Sequence, residues 1–421
     1  MYKIYPKNLY ILGGVLLYFF ALVQSGQAAG FQLYEQGQPS IGSASVGQAA
    51  LADDASTSYF NPAGMTRLKR SEILLGSQLA MMSVRFHADA NNTRRGNDGG
   101  QAGGILPAGG FYLVYKFLPE IAAGLSINAP VGLGIDYNND WYGRYLVQNN
   151  FLAVADISPV VSLRLTDWLY IGGGADIYYA YLKQESALFN PLSADGQIKM
   201  SYDDWAIGYN LGVLVEPSKK TRIGLAYRSQ VDMELTGDID FVNPSKYWTL
   251  RGLRNAYGTT NLTIPMSFTL SLYQEITDKF AIVVDGGWQN WSSMEKTIIT
   301  TENGIAEEIN RDWNDTWRAG GGIHYRIFKR LLLKAGISYD SNPVSEEHRL
   351  PDIPVDRQWR YATGVDYAVN EDVIISLSWE YIDMGKAPID HQLWGHGRRL
   401  SGDYDQFVNV VSLSFRWKFG K

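Results

Sequence analysis

The chain has 421 residues, with 37 Lys plus Arg against 43 Asp plus Glu, and this acidic balance argues against nucleic acid or an anionic membrane surface as partner. It has no cysteine, which excludes a disulfide framework and zinc–thiolate sites. Its 27 Tyr, 16 Phe and 12 Trp beside 43 Gly suit a secreted transmembrane barrel whose strands alternate apolar-out and polar-in.

The first residues read as an address. Lys3 and Lys7 give a positive start, Leu9 to Val23 is almost wholly apolar, and Gly26-Gln27-Ala28 places small residues where a signal peptidase reads. Residues 1–28 are therefore expected to be a signal peptide cleaved after Ala28. The run is shorter than the roughly 20 apolar residues that a membrane-spanning helix needs. No later stretch approaches that length without charges, so helices are not expected to cross a membrane.

Residues 29–68 are rich in Gly, Ser, Ala and Gln and do not alternate. Such a segment is either a disordered tail or a hatch packed inside a barrel too wide for wall side chains to fill. From residue 69 to 421 period two takes over. Ile223, Leu225 and Tyr227 oppose Arg222, Gly224 and Arg228; Met266, Phe268, Leu270 and Leu272 oppose Ser267, Thr269 and Ser271. Leu331, Leu333, Ala335, Ile337 and Tyr339 oppose Lys334, Ser338 and Asp340, and Val373, Ile375, Leu377, Trp379 and Tyr381 oppose Ser376, Ser378 and Glu380. At the C-terminus Phe407, Val411, Leu413, Phe415, Trp417 and Phe419 oppose Ser412, Ser414, Arg416 and Lys418.

Six short turns fall at Leu118-Pro119-Glu120, Thr166-Asp167, Pro217-Ser218-Lys219-Lys220, Thr277-Asp278-Lys279, Phe328-Lys329-Arg330 and Asn370-Glu371-Asp372. Long connections are expected near 89–104, 138–149, 190–200, 241–260, 301–312, 343–356 and 385–403. Their alternation predicts an all-β, fourteen-stranded antiparallel transmembrane barrel with both ends periplasmic. A soluble sandwich or propeller would bury the charged second face at a cost that a barrel lumen avoids by solvating or pairing those groups. Arg164, Asp176, Glu216, Arg222, Arg228, Asp285, Arg318, Arg326, Asp366 and Glu380 are expected to face inward.

Ala29-Gly30-Phe31-Gln32-Leu33, Ala52-Asp53-Asp54-Ala55 and Asn61-Pro62-Ala63, with Asp156-Ile157-Ser158-Pro159 and Gly172-Gly173-Gly174 further on, carry a resemblance to a known family. The chain resembles the FadL family of outer-membrane transporters of long-chain fatty acids and hydrocarbons. That resemblance implies that residues 29–68 are a hatch plugging the lumen, with Phe31, Asn61, Pro62 and Ala63 as its marker residues. It further implies capture of a hydrophobic ligand by extracellular loops, a pocket beside the hatch, and lateral exit through a kink in the third strand. The third strand here carries Asn128, Pro130 and Gly132, and proline removes a ladder donor where glycine weakens a strand. For capture the expected residues are Leu188, Phe189, Phe241, Trp248, Leu250 and Leu253, with Arg251 or Arg254 as a carboxylate partner. Arginines at this level also suit lipopolysaccharide phosphates.

The expected ligand is a long-chain fatty acid or another hydrophobic compound, with aromatic hydrocarbon uptake and a general diffusion porin as alternatives. The expected setting is a monomer in the Gram-negative outer membrane, among its lipid and lipopolysaccharide. Many such barrels end on an aromatic residue, whereas this chain ends Phe419-Gly420-Lys421, so the barrel assembly machinery is expected to read Phe415, Trp417 and Phe419. An enzyme is not expected: His87, His324, His348, His391 and His396 lie in no recognisable nucleophile motif. No cofactor or metal is expected, since His391 and His396 lack a carboxylate at ligand spacing.

Overall fold

A computed structural model describes residues 33–93, 95–304, 306–393 and 398–420; the expected signal peptide, Phe31 and His396 lie outside them. The strands are β1 (Ser71–Ala88), β2 (Ile105–Leu118), β3 (Ile121–Asp136), β4 (Asn149–Arg164), β5 (Leu169–Leu188) and β6 (Gly196–Ser218). Four further crossings are each interrupted: β7 (Thr221–Arg228 and Val231–Val242), β8 (Ala256–Ile264 and Ser267–Glu275), β9 (Phe280–Gln289 and Lys296–Thr301) and β10 (Ala306–Asn310 and Thr316–Phe328). The wall ends with β11 (Leu331–Asp340), β12 (Gln358–Ala368), β13 (Val373–Leu393) and β14 (Arg398–Phe419).

Neighbours in sequence pair antiparallel, and β14 pairs with β1 from Ser71↔Phe419 to Ala88↔Gly402, so the fourteen crossings close on themselves. Closure leaves no edge strand, which lets strands cross a medium that cannot hydrogen-bond to them, and only part of β2 and β3 lacks a partner on one side. No helix among the described residues is long and apolar enough to cross a membrane. The side-chain alternation follows the expected parity. On β14 Leu413, Phe415 and Trp417 are exposed while Ser412, Ser414 and Arg416 are buried; on β13 Leu377 and Trp379 face out while Ser378 and Glu380 face in.

The six short turns coincide with those expected. Several long connections do not: β5 and β6 pair as far as Leu188↔Gly196, and β7 and β8 as far as Ile239↔Ala256. Likewise β9 and β10 pair to Thr300↔Ala306, and β13 and β14 to Leu393↔Arg398. Past the hydrocarbon layer a strand loses its one-sided apolar pattern, because both faces meet water, yet its ladder continues. Arg164 and Arg326 keep the inward parity expected of them but lie at the rim carrying the short turns, where Arg164 pairs with Asp167 at 2.6 Å and Arg326 is exposed.

The interior has two zones. At the level of the short turns it holds residues 33–68, folded into short helical turns at Pro39–Ser43, Gln48–Leu51, Thr57–Phe60 and Pro62–Arg67. At the loop level it is an apolar cluster that includes Val84, Phe86, Leu133, Tyr137, Trp141, Trp291, Trp313, Ile353 and Tyr404.

Candidate functional site

Asn61 shows how the N-terminal segment is held. Its Oδ1 accepts from Ala63 N–H at 3.1 Å, capping the turn that opens with Pro62, whose missing N–H costs nothing there. Its Nδ2 donates to Ala49 O at 2.6 Å and to Val213 O on β6 at 3.0 Å. A Cβ on Gly212 would lie 2.0 Å from Asn61 Oδ1, and one on Gly172 would lie 2.5 Å from Ala63 N. Glycine in these two wall positions is thus what lets the Asn61 side chain and the Pro62–Ala63 backbone approach the strands.

Wall charges reach the same segment from many sides. Arg360 pairs with Glu35 at 3.0 Å and with Asp340, while Arg318 donates to Ala44 O at 2.7 Å. Lys334, paired with Asp366 at 2.6 Å, also donates to Pro39 O, and Asp285 accepts from Gly47 N–H at 3.0 Å. Arg416 pairs with Glu72 at 3.2 Å and donates to Asp53 O; Arg67 pairs with Glu216. Arg228 bridges Asp156 and Asp176 at 3.1 and 2.6 Å and donates to Tyr59 O at 3.0 Å. Buried charges of this kind are tolerable only when paired and hydrogen-bonded, which these are. Ala44, Ser45 and Ala52 adopt left-handed φ values of 55, 55 and 40°, each at a cost on the order of 1 kcal/mol that the surrounding contacts must hold.

The wall itself is incomplete beside this segment. The β2–β3 ladder ends at Phe111↔Ile127; beyond it Leu106 to Gly110 pair only with β1, and Val131 to Asp136 only with β4. The β3–β4 register shifts between Asn128 and Val131, a bulge centred on Ala129-Pro130. Leu33 fills part of the gap: its N–H donates to Pro130 O at 2.8 Å, and a Cβ on Gly132 would stand 3.1 Å from Leu33 Cδ1 and 3.8 Å from Leu106 Cδ2. Asn128 is buried, and among the described residues neither its Oδ1 nor its Nδ2 has a hydrogen-bond partner. A cavity of about 70 Å³ lies against Leu33, Tyr34, Tyr59, Phe60, Leu211 and Arg228.

A family profile described as outer membrane protein transport protein (OMPP1/FadL/TodX) matches residues 20–419. The chain belongs to this family. It is similar to the long-chain fatty acid transport protein of Escherichia coli O6:H1, 28% identical over 84% of this chain and 87% of the relative. It also resembles a putative outer membrane protein of Neisseria meningitidis, 24% identical over 92% and 94% of the two chains. Among solved structures, a Pseudomonas aeruginosa FadL homologue superposes with a TM-score of 0.86 at 20% identity, over 93% of this chain and all of that one. The Pseudomonas putida toluene transporter TodX does so with a TM-score of 0.69 at 15% identity, over 92% and 100%. As a FadL-family barrel the protein is located in the outer membrane of a Gram-negative cell, and several of its relatives are named as transport proteins.

In this FadL-family chain the expected residues fall into three groups. Asn61, Pro62 and Ala63 are buried against the wall, Pro130 and Gly132 meet Leu33 at the break in β3, and Asn128 is buried at the start of that break. The capture residues lie on the loop side, but Leu188 is buried at the end of β5 and Phe241 sits in β7, so neither is a loop residue. Phe189 and Trp248 do bring two loops together, since Trp248 Nε1 donates to Phe189 O at 2.7 Å; Leu250 is 87% exposed and Leu253 half-buried. Arg251 stacks over Tyr247 at 4.3 Å and Arg254 donates to Asn303 at 2.8 Å; both are exposed at the outer surface, away from the gap.

Sequence reasoning missed the loops that fold inward. Tyr137 stacks on Trp141 at 3.9 Å and donates to Pro351 O, while Arg311 holds Asp352 through two bonds of 3.0 and 2.6 Å. Arg349 is fully enclosed, donating to Val355 O at 2.9 Å and Val344 O at 3.2 Å; burial pushes its pKa down and that of Asp356 up. Asn190 also went unremarked, although it bonds Asn243 O and Ser245 N–H and so ties the Phe189 loop to the Trp248 loop. The Tyr and Trp content between 137 and 147 was the available signal.

Proposed function

We propose that the protein carries hydrophobic small molecules across the outer membrane, with long-chain fatty acids as the favoured cargo. A ligand is caught on the exposed apolar surface around Phe189, Trp248 and Leu250, then enters the apolar outer zone of the lumen. It moves down to the pocket beside Leu33 and leaves sideways between β2 and β3 at Pro130. A transferred chain gains about 0.8 kcal/mol for each buried CH₂, so this route has no aqueous step, whereas an open water-filled pore would oppose such a cargo.

The observation that carries this reading is the coincidence of the broken β2–β3 ladder with the N-terminal segment at Leu33–Pro130. The pocket of about 70 Å³ holds no more than a few waters, so the segment must shift to admit a ligand. The matches to long-chain fatty acid transport proteins at 24–28% identity support fatty acids as the cargo. We further propose that residues 29–68 act as a plug and that the barrel works as a monomer.

Uptake tests the reading. Cells lacking their own long-chain fatty acid transporter but expressing this chain should accumulate labelled oleate, and the purified protein should pass little steady current in planar bilayers. Free passage of small sugars together with large ion current would instead establish a diffusion porin.

A further inference from the structure

An outward-facing cleft of about 640 Å³ opens near the loop-side rim, between β1, β13 and β14, and is lined by Arg85, His87, Arg357, Asp383, Lys386 and Asp405. Its level follows from the strand pattern. On β1 the outward series Leu75, Leu79 and Met81 continues through Ser83 to Arg85 and His87. On β14 Phe407 is followed on the same face by Asp405, on β13 Trp379 and Tyr381 lead to Asp383, and beside them Tyr361 and Trp359 lead to Arg357. Charged side chains thus replace apolar ones at one height on β1, β13 and β14 and at the start of β12, where the hydrocarbon ends and lipid headgroups begin.

Lys386 is aimed there by a bulge. The β13–β14 register shifts between Asp383 and Lys386, with Gly385 at φ +73°, and Lys386 then stands directly opposite Asp405. Without the bulge, which sets one extra residue of β13 against β14, Lys386 would have the opposite parity to Asp383 and would not join it on the outside. Asp405 is also the direct partner of Arg85 across β1, and its carboxylate meets His87 Nε2 at 3.3 Å; Asp383 meets Arg357 at 3.3 Å. Among the described residues Arg85 and Lys386 form no ion pair, so two cations flank a single carboxylate already shared with His87.

We propose that this cleft binds the phosphate of a phosphorylated glycolipid of the surrounding outer leaflet, of the lipid A class. Arg85 supplies a planar fork that matches a phosphate, Lys386 adds a point charge, and the acyl chains lie along the apolar face below, over Met81, Tyr381 and Phe407. The assignment rests on the membrane location and is independent of the transport reading.

Native mass spectrometry of the purified full chain in mild detergent tests it. The folded protein should retain bisphosphorylated lipid A, and should not retain the same lipid stripped of its phosphates. Arg85→Gln with Lys386→Gln, both exposed positions, should lower retention by at least about tenfold, as expected when charge-assisted bonds are lost. Heat-modifiable gel mobility verifies that the variant is folded. Equal retention by the folded variant, or equal retention of the dephosphorylated lipid, overturns the proposal. So does displacement of the lipid by inorganic phosphate at matching concentration, which would make the cleft a site for free anions.

Discussion

Asn61 joins two parts of the N-terminal segment to the wall through one side chain, and its neighbours Gly172 and Gly212 have no room for a Cβ. The tripeptide around Asn61 was legible as a mark of kinship, and Gly172-Gly173-Gly174 as a run out of place in a strand. What Asn61 and Gly172 do could not be read from the sequence, because Asn61 meets Gly212 and Val213, and Gly172 makes room for Ala63, each more than a hundred residues away in the chain. Asn61→Ala should remove three hydrogen bonds and weaken the seating of the segment by about 1–3 kcal/mol. Hydrogen exchange should then accelerate across residues 47–66 while β6 keeps its protection. Unchanged exchange in that stretch would mean that the ion pairs hold it without Asn61.

Elements were legible wherever one face was apolar and the other polar. All fourteen crossings and all six turns follow from that contrast, and so does the weakness of β3, since Pro130 and Gly132 act locally. The same contrast vanishes where β5, β6, β13 and β14 run on into water, which is why their outer ends resembled loops. The polar 343–356 stretch is a connection as expected, but its charges turn inward instead of into solvent: Asp352 is held by Arg311, and Arg349 donates to the carbonyls of Val344 and Val355. Orientation can be tested with single cysteines, because the chain has none of its own. A cysteine at Leu250 should react with a membrane-impermeant maleimide on intact cells, and one at Glu371, in the turn before β13, should not. Labelling at Glu371 but not at Leu250 would invert the barrel in its membrane.

On the scale of the whole molecule the lumen is divided: apolar toward the loops, polar and ion-paired around residues 33–68. Parity alone could not reveal this, for it reports which residues point inward and not what fills the space they point into. The wall closes through β1–β14 without the N-terminal segment, so deleting residues 33–68 should leave a foldable barrel. Water would then solvate Arg318, Lys334, Arg360 and Arg416, and the deletion should conduct ions steadily where the intact protein does not. Unchanged low conductance in a folded deletion would show that the segment does not block the pore.

In the proposed route cargo leaves through the wall where β2 and β3 part. Pro130→Val restores an amide donor, and Gly132→Val raises β-propensity and fills the space toward Leu33 and Leu106, so the two strands can close the gap. The decisive measurement is oleate uptake by cells carrying this folded double variant, set beside fatty acid binding by the purified protein. Uptake should fall to the level of cells without the transporter while binding at the outer loops persists. Uptake at the parental rate would contradict a lateral exit at β3 and point to passage past a displaced N-terminal segment into the periplasm.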